Sequence, residues 1–310
     1  MATALDTGDP LSDSRKPVVS AANHEAVEAW DGVLFDRFAR FRHILLPGLG
    51  AHGDRALEMH PPHPGERVLD IGCGFGDTTQ RIAAMVGPGG EVVGVDASRR
   101  FTEAARLEAE RAAVANVRFV VADVEAGGLG GGYNRAFSRF GTMFFANPVT
   151  ALRNVREALV PGGKLCMVVW RQKPDNPWLY EAELAVRRFL DRREDSDEPT
   201  CGPGPFSMAD ANATSGILVG AGFEDIRLAR CDTQMLIGRD LDEAIDYVTA
   251  LGPAAEIIRL AGENANRIRP NLVEAIRGAL EPFAGPDGVR AQMSTWTVSA
   301  RVPDTSGRPQ

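Results

Sequence analysis

The residues able to do chemistry concentrate in one decapeptide, Val68-Leu-Asp-Ile-Gly-Cys-Gly-Phe-Gly-Asp77. An apolar run ends, a glycine-rich turn follows, and a helical pattern begins. Glycine removes the Cβ where a ligand must approach the backbone. The helix start beyond the turn offers unpaired N–H groups. A dinucleotide turn wants its third glycine five residues after the first. Here the glycines are Gly72, Gly74 and Gly76, and the fifth position is Asp77. Asp70 stands two residues before Gly72. A carboxylate aimed into that turn would oppose a pyrophosphate and attract an ammonium group. The spacing therefore favours an ammonium-bearing ligand, such as the aminoacyl end of S-adenosylmethionine, and weakens an NAD(P)-dependent oxidoreductase.

Other reactive residues have simpler readings. Cys73 lies in the turn with no neighbouring cation or base in sequence, and a small side chain suits it there. His60 and His63 flank two prolines and have no evident third ligand, so no metal is expected. Cys73, Cys166, Cys201 and Cys231 are far apart, with no C-x-x-C pair. All five histidines lie between His24 and His63, so a histidine base would have to come from the N-terminal segment. Arg37, Arg40 and Arg42, with His43, read as the solvated face of an amphipathic helix.

These residues need a scaffold. The strands expected are Arg67–Ile71, Glu91–Asp96, Val117–Asp123, Tyr133–Arg139 and Lys164–Trp170. Several are near-continuous Val/Leu/Ile/Phe runs, as for strands covered on both faces. Helices begin near Asp77, Ser98 and Asn147, the last with Pro148 at its first position and a stop at Pro161-Gly162-Gly163. This alternation means a doubly wound parallel sheet. Further helix is expected near Ala209–Val219 and over 239–285, and further strand at Asp225–Arg230 and Gln292–Val302. An N-terminal amphipathic helix from Glu25 to Met59 should break near Pro47-Gly48. The chain thus divides into a disordered tail (1–20), an N-terminal helical cap (21–59), a ligand-binding core (60–171), an insertion or lid (172–207), a core continuation (208–238), a helical insertion or lid (239–285), a final core strand (286–302) and a tail (303–310). The acidic stretch Asp191–Glu198 reads as solvated surface.

The chain has 310 residues, 44% hydrophobic and 25% charged, with a net charge of -8. It is a globular composition, and its average field repels a polyanion, which disfavours nucleic acid. No apolar run nears the ~20 residues of a membrane span. The polar start lacks the apolar core of a signal peptide, so a cytoplasmic location is expected.

On these motifs the chain resembles the class I S-adenosylmethionine-dependent methyltransferases, over about residues 60–171 and less closely out to residue 302. Val68–Gly76 is similar to the family's first motif. Val92-Val-Gly-Val-Asp96-Ala-Ser98 is similar to the second, whose acid can accept from both ribose hydroxyls. Val121-Ala-Asp123-Val124 is similar to the third, whose acid meets the adenine amino group while the next backbone N–H meets the ring. Phe137-Ser-Arg-Phe-Gly141, leading into Met143-Phe-Phe145, is similar to the fourth. It departs from the family at Asn134 and Arg135. Leu159–Lys164 resembles a structural helix-to-strand turn.

The resemblance implies S-adenosyl-L-methionine as cofactor, S-adenosyl-L-homocysteine as product, and cofactor-binding residues Asp70, Gly72, Cys73, Gly74, Gly76, Thr78, Asp96, Ala97, Asp123, Val124 and Ser138. It implies an α/β fold: a doubly wound, mostly parallel seven-stranded sheet (Rossmann-like), the last strand antiparallel, with an N-terminal helical cap and helical insertions. Motif order and insertions look most like the small-molecule, ubiquinone/menaquinone-biosynthesis branch. The Asn-Pro-Pro-Tyr motif of nucleic-base N-methyltransferases is absent, so a small-molecule acceptor is expected and nucleic acid is not. Phe140, Met143, Phe144 and Trp170 are candidate walls of its pocket. Arg139 is the one candidate charge, for the cofactor carboxylate or an anionic substrate; a pairing with a local acid is the alternative. A cofactor-binding protein without turnover remains the rival of another class.

Overall fold

The computed structural model describes residues 19–190 and 202–304. The tail read over 1–20, except its last two residues, lies outside them. So do the acidic stretch 191–198, Cys201 and residues 305–310.

Strands β1 (Arg67–Ile71), β2 (Glu91–Asp96), β3 (Val117–Val121), β4 (Tyr133–Arg139), β5 (Leu159–Trp170), β6 (Glu224–Gly238), β7 (Ala284–Gly285) and β8 (Gly288–Arg301) form one sheet. Its order is β3-β2-β1-β4-β5-β8-β6, with the two-residue β7 paired to β8 off that path. The first five strands are mutually parallel. β8 inserts antiparallel between β5 and β6. This is the expected seven-stranded, doubly wound arrangement, with β7 as an addition. Strand order reverses between β1 and β4, and the ends of these strands open the crevice where such sheets bind ligands.

Helices cover both faces because the inner strands are apolar on both. Leu69, Ile71, Val92, Val93, Met167, Val168 and Val169 are all fully buried. The helices are α1 (His24–Ala29), α2 (Phe35–Arg40), α3 (Arg42–Met59), α4 (Asp77–Val86), α5 (Arg99–Arg111), α6 (Pro148–Ala158), α7 (Pro177–Arg187), α8 (Ala211–Ala221), α9 (Leu241–Ala250), α10 (Pro253–Ala261), α11 (Glu263–Arg267) and α12 (Arg269–Leu280). Their starts carry the capping chemistry legible in sequence. Ser98 Oγ accepts from Phe101 N, Asn147 Oδ1 from Thr150 N, Asp210 from Ala213 N, and Asp240 from Glu243 N. Among the described residues no helix is long and apolar enough to cross a membrane.

Three local expectations are corrected. α3 runs through Pro47; the N-terminal segment breaks instead at Gly32, whose φ/ψ of -111/-114 interrupts the helical run. Pro47 costs a helix one hydrogen bond, but α3 packs against β6, and a Cβ on Gly48 would meet the Met235 side chain at 2.6 Å. Next, β5 begins at Leu159. Tyr133 pairs Leu159, then Arg135 pairs Lys164, so the Pro161-Gly162-Gly163 turn is a bulge inside the strand. Finally, β6 and β8 run well beyond the short strands expected, because they pair with each other from Glu224 and Arg301 to Gly238 and Val289.

Candidate functional site

The site is built on the end of β1. Gly72 and Gly76 have φ of 66° and 77°. A Cβ on Gly72 would lie 3.0 Å from Gly141 Cα, and one on Gly76 would lie 2.8 Å from Ala105 and Phe119. The turn therefore needs both the conformation and the absent side chain. Asp96, at the end of β2, closes it from the side. One carboxylate oxygen accepts from Gly74 N at 3.0 Å and the other from Ser98 N at 2.9 Å. Each oxygen keeps acceptor capacity, and the side chain lines a cavity. Burial pushes its pKa up to about 6.

Asp123 follows β3 and also lines the cavity. It accepts from Glu125 N at 2.9 Å, Ser20 N at 2.8 Å, and Asn23 Nδ2 at 3.0 and 3.1 Å. Asn23 thus ties the N-terminal cap to the sheet. Asp31 makes a second tie, accepting from Ser98 Oγ at 2.7 Å and Arg100 N at 2.9 Å.

The cavity measures about 820 Å³, within the usual range for small-molecule sites. Seven of the eleven cofactor residues expected from sequence line it: Gly72, Cys73, Gly74, Asp96, Ala97, Asp123 and Val124. The other four lie behind it. Asp70 is 1% exposed, accepts from Thr79 Oγ1 at 2.6 Å, and is pushed up to about 7 by burial. Gly76 is packed against Phe119. Thr78 is buried in α4, and Ser138 Oγ donates to Ile71 O at 2.8 Å, tying β4 to β1.

All four candidate wall residues, Phe140, Met143, Phe144 and Trp170, line the cavity. Phe140 has φ of 60°, a costly conformation for an aromatic residue. It stands where β4 turns sharply, with its ring 5.2 Å from Trp170. Arg139 lines the cavity too, and its guanidinium is held by Asp77 through contacts of 2.8 and 3.0 Å. The local-acid pairing is the arrangement found.

Sequence reasoning missed much of the far wall. Arg37, Lys173, Trp178, Glu183, Arg187, Tyr247 and Glu256 also line the cavity. Lys173 and Arg187 both pair with Glu183, at 2.6 and 2.7 Å. The i,i+4 spacing of Glu183 and Arg187 was visible, but it does not say which face turns inward. None of the described histidines lines the cavity. His52, fully buried, sits between Thr233 Oγ1 (2.7 Å) and Thr295 Oγ1 (2.9 Å). Burial lowers its pKa to about 4. Among the described residues no group of three or more His, Cys, Asp or Glu is placed to hold a metal ion.

Fold and turn define a class of protein, and comparison with known proteins agrees. Residues 62–194 match the family model described as a methyltransferase domain. The ubiquinone/menaquinone biosynthesis C-methyltransferase UbiE of Ectopseudomonas mendocina is 36% identical over 125 residues, 40% of this chain and 48% of that protein. The aklanonic acid methyltransferase DauC of a Streptomyces species is 33% identical over 114 residues, 36% of this chain and 52% of that protein. The chain thus spans about half the length of these curated relatives. A solved phosphoethanolamine N-methyltransferase 2 of Haemonchus contortus shares the fold, with a TM-score of 0.53 at 18% identity, over 93% of this chain and 61% of that one. Over residues 62–194 the chain is thus similar to methyltransferase domains.

Proposed function

We propose that this chain transfers the methyl group of S-adenosylmethionine to a small-molecule acceptor, on oxygen, nitrogen or carbon, held in a capped pocket. One observation carries the reading. The glycine turn and Asp96 open into the same cavity that residues of the N-terminal cap, the 172–207 segment and the 239–285 segment line. The chemistry of the donor set fits the cofactor. Asp96 has spare acceptor capacity for two ribose hydroxyls, and the turn lets a ligand lie on bare backbone. Asp96 would hold the ribose, Gly72–Gly74 the aminoacyl end, and Asp123 with Val124 the adenine. When bound, the cofactor supplies a methyl group on a cationic sulfur, electrophilic without further activation.

The chain's own contribution is then positioning and exclusion of water. Phe140, Met143, Phe144 and Trp170 give the acceptor an apolar wall next to the turn. Arg139, already neutralised by Asp77, orients this end of the site. The mainly apolar cavity, lined from three segments beyond the sheet, suits a compact molecule rather than a polymer. The curated relatives, whose names include ubiquinone/menaquinone biosynthesis and aklanonic acid, support a small-molecule acceptor in the same direction.

Calorimetry with S-adenosylhomocysteine and with NAD, followed by label transfer from S-adenosylmethionine to panels of phenols, quinols, amines and RNA, tests the reading. Binding of the first, no binding of the second, and labelling of a small molecule are expected. NAD binding alone would assign the site to an oxidoreductase. Tight S-adenosylhomocysteine binding with no labelled product from any panel would favour a cofactor-binding protein.

A further inference from the structure

The cavity is electrically polarised. At its sheet end Asp96 and Asp123 have no basic side-chain partner among the described residues, and Asp77 is balanced by Arg139. At its lid end the ionisable lining reverses sign: among the described residues it holds Arg37, Lys173 and Arg187 against Glu183 and Glu256. Within that set Arg37 stands apart. Lys173 and Arg187 share Glu183, which is 3% exposed. Arg37 spends one N–H on the carbonyl of Ala250, at 3.1 Å, and has no carboxylate partner among the described residues. Glu256, an acid of the same wall, is committed to Arg259, whose side chain is 8% exposed, through contacts of 2.9 and 3.0 Å. Burial, then the neighbouring Arg259 charge, disfavour the protonated form of Arg37, and the Glu256 charge offsets them only in part.

Arg37 is half-buried and feels the charge of Arg259, on a cavity wall that also carries Leu34, Phe38, Ile257 and Leu260, and a guanidinium so placed is costly if left unpaired. Arginine has five N–H donors in a planar fork, and among the described residues that of Arg37 meets one acceptor, the carbonyl of Ala250. A planar or tetrahedral oxyanion is the group that fork matches.

We infer that Arg37 is the anchor for an anionic group of the methyl acceptor, so that the acceptor is an amphiphilic oxyanion: an apolar body with a carboxylate, sulfonate or phenolate at the end held by α2. This rests on the cavity being the acceptor pocket. The cationic cofactor goes to the acidic sheet end and the anionic acceptor to the basic lid end. The two ends therefore discriminate the two ligands by charge, before any shape is read.

The test uses a matched pair of fluorescent probes, 8-anilinonaphthalene-1-sulfonate and N-phenyl-1-naphthylamine, which share one aromatic body and differ by the sulfonate. Both are titrated into the full chain with S-adenosylhomocysteine present. Variants Arg37→Gln and Arg37→Lys are compared with Arg40→Gln, an exposed arginine on the same helix. The sulfonate probe should bind wild type more tightly than the neutral one. Arg37→Gln should weaken the sulfonate probe about tenfold, in the range of a charge-assisted contact, and leave the neutral probe within about twofold. Arg37→Lys should keep most of the preference, and Arg40→Gln all of it. Equal weakening of both probes by Arg37→Gln, equal loss of preference in Arg40→Gln, or no sulfonate preference in wild type overturns the inference. Melting curves of each variant separate misfolding from lost binding, and the charge-keeping Arg37→Lys reads the site if Arg37→Gln does not fold. Calorimetry with S-adenosylhomocysteine on the same proteins reads the cofactor end independently. Failure there strikes the methyltransferase reading, whereas failure of the probe comparison strikes only Arg37.

Discussion

Asn23 of the N-terminal cap donates through one Nδ2 to both carboxylate oxygens of Asp123, at 3.0 and 3.1 Å, across 100 residues of sequence. Both side chains are buried, at 7% and 4% exposure. With Ser20 N and Glu125 N also bound, the four acceptor sites of the carboxylate are filled. An adenine amino group can reach Asp123 only if the cap yields a bond. Asn23→Ala should therefore tighten S-adenosylhomocysteine binding by about fivefold, the worth of one hydrogen bond of about 1 kcal/mol. Weaker binding by calorimetry would mean that the Asn23 contact belongs to the bound state.

Asp96 has the opposite standing, with each oxygen holding a single partner. Asp96→Ala should weaken S-adenosylhomocysteine binding by about 1.5–3 kcal/mol, the value for bonds to a charged acceptor. Because burial places its pKa at about 6, affinity should also fall as pH drops below that value and the carboxylate becomes protonated. Equal affinity at pH 5 and pH 7.5 would remove Asp96 from the ribose.

Asp70 holds its proton more firmly folded than unfolded, with a pKa of about 7 against 3.8. The native state then binds more protons across that interval, so this group's contribution to stability is lost as pH rises from about 4 to about 7. Asp70→Asn removes the ionisation and keeps an acceptor for Thr79. Its melting temperature should exceed that of wild type at pH 7.5 and match it near pH 4. A constant difference at both pH values would show that Asp70 does not titrate in this window.

His52 works in the other direction, with a pKa of about 4 folded against 6.5 unfolded. Below 6.5 the unfolded chain takes a proton that the native chain refuses, so stability falls as pH drops from about 6.5 to about 4. His52→Gln should lower stability at pH 7.5 by about 1–3 kcal/mol, through disturbed contacts to Thr233 and Thr295. That deficit should shrink at pH 4.5. Urea titrations at the two pH values measure it, and a deficit that grows with acid would refute the neutral, buried imidazole.

Closure of the pocket is the last expectation. Amides of α1–α3, α7 and α9–α10 should exchange more slowly when S-adenosylhomocysteine is bound. The paired centres of β6 and β8 should be unchanged and serve as the reference. Identical exchange in all three cap segments would leave the cavity an open cleft and count against a small-molecule site.

The legible part of this protein was local. The apolar runs of β1 to β4 could only be strands covered on both faces, and Asn147-Pro148, Ser98 and Asp240 capped helices where their side chains dictated. Gly72 and Gly76 announced a turn that no other residue could make, and Asp96 followed at the end of the next strand. Other features were decided by packing between distant segments. Pro47 read as a helix break, yet α3 crosses it because Gly48 and His52 seat the helix on β6 and β8. Asp70 read as an acid facing the turn, yet Thr79 and burial hold it behind. Arg37 read as a solvated charge, because a helical period gives a face but not what covers it. Only the approach of α9 and α10, more than two hundred residues away, made that face the wall of a cavity. Periodicity and capping are short-range and are written in neighbouring residues. Which charge is left without a partner depends on every segment that folds against it, and that belongs to the tertiary structure alone.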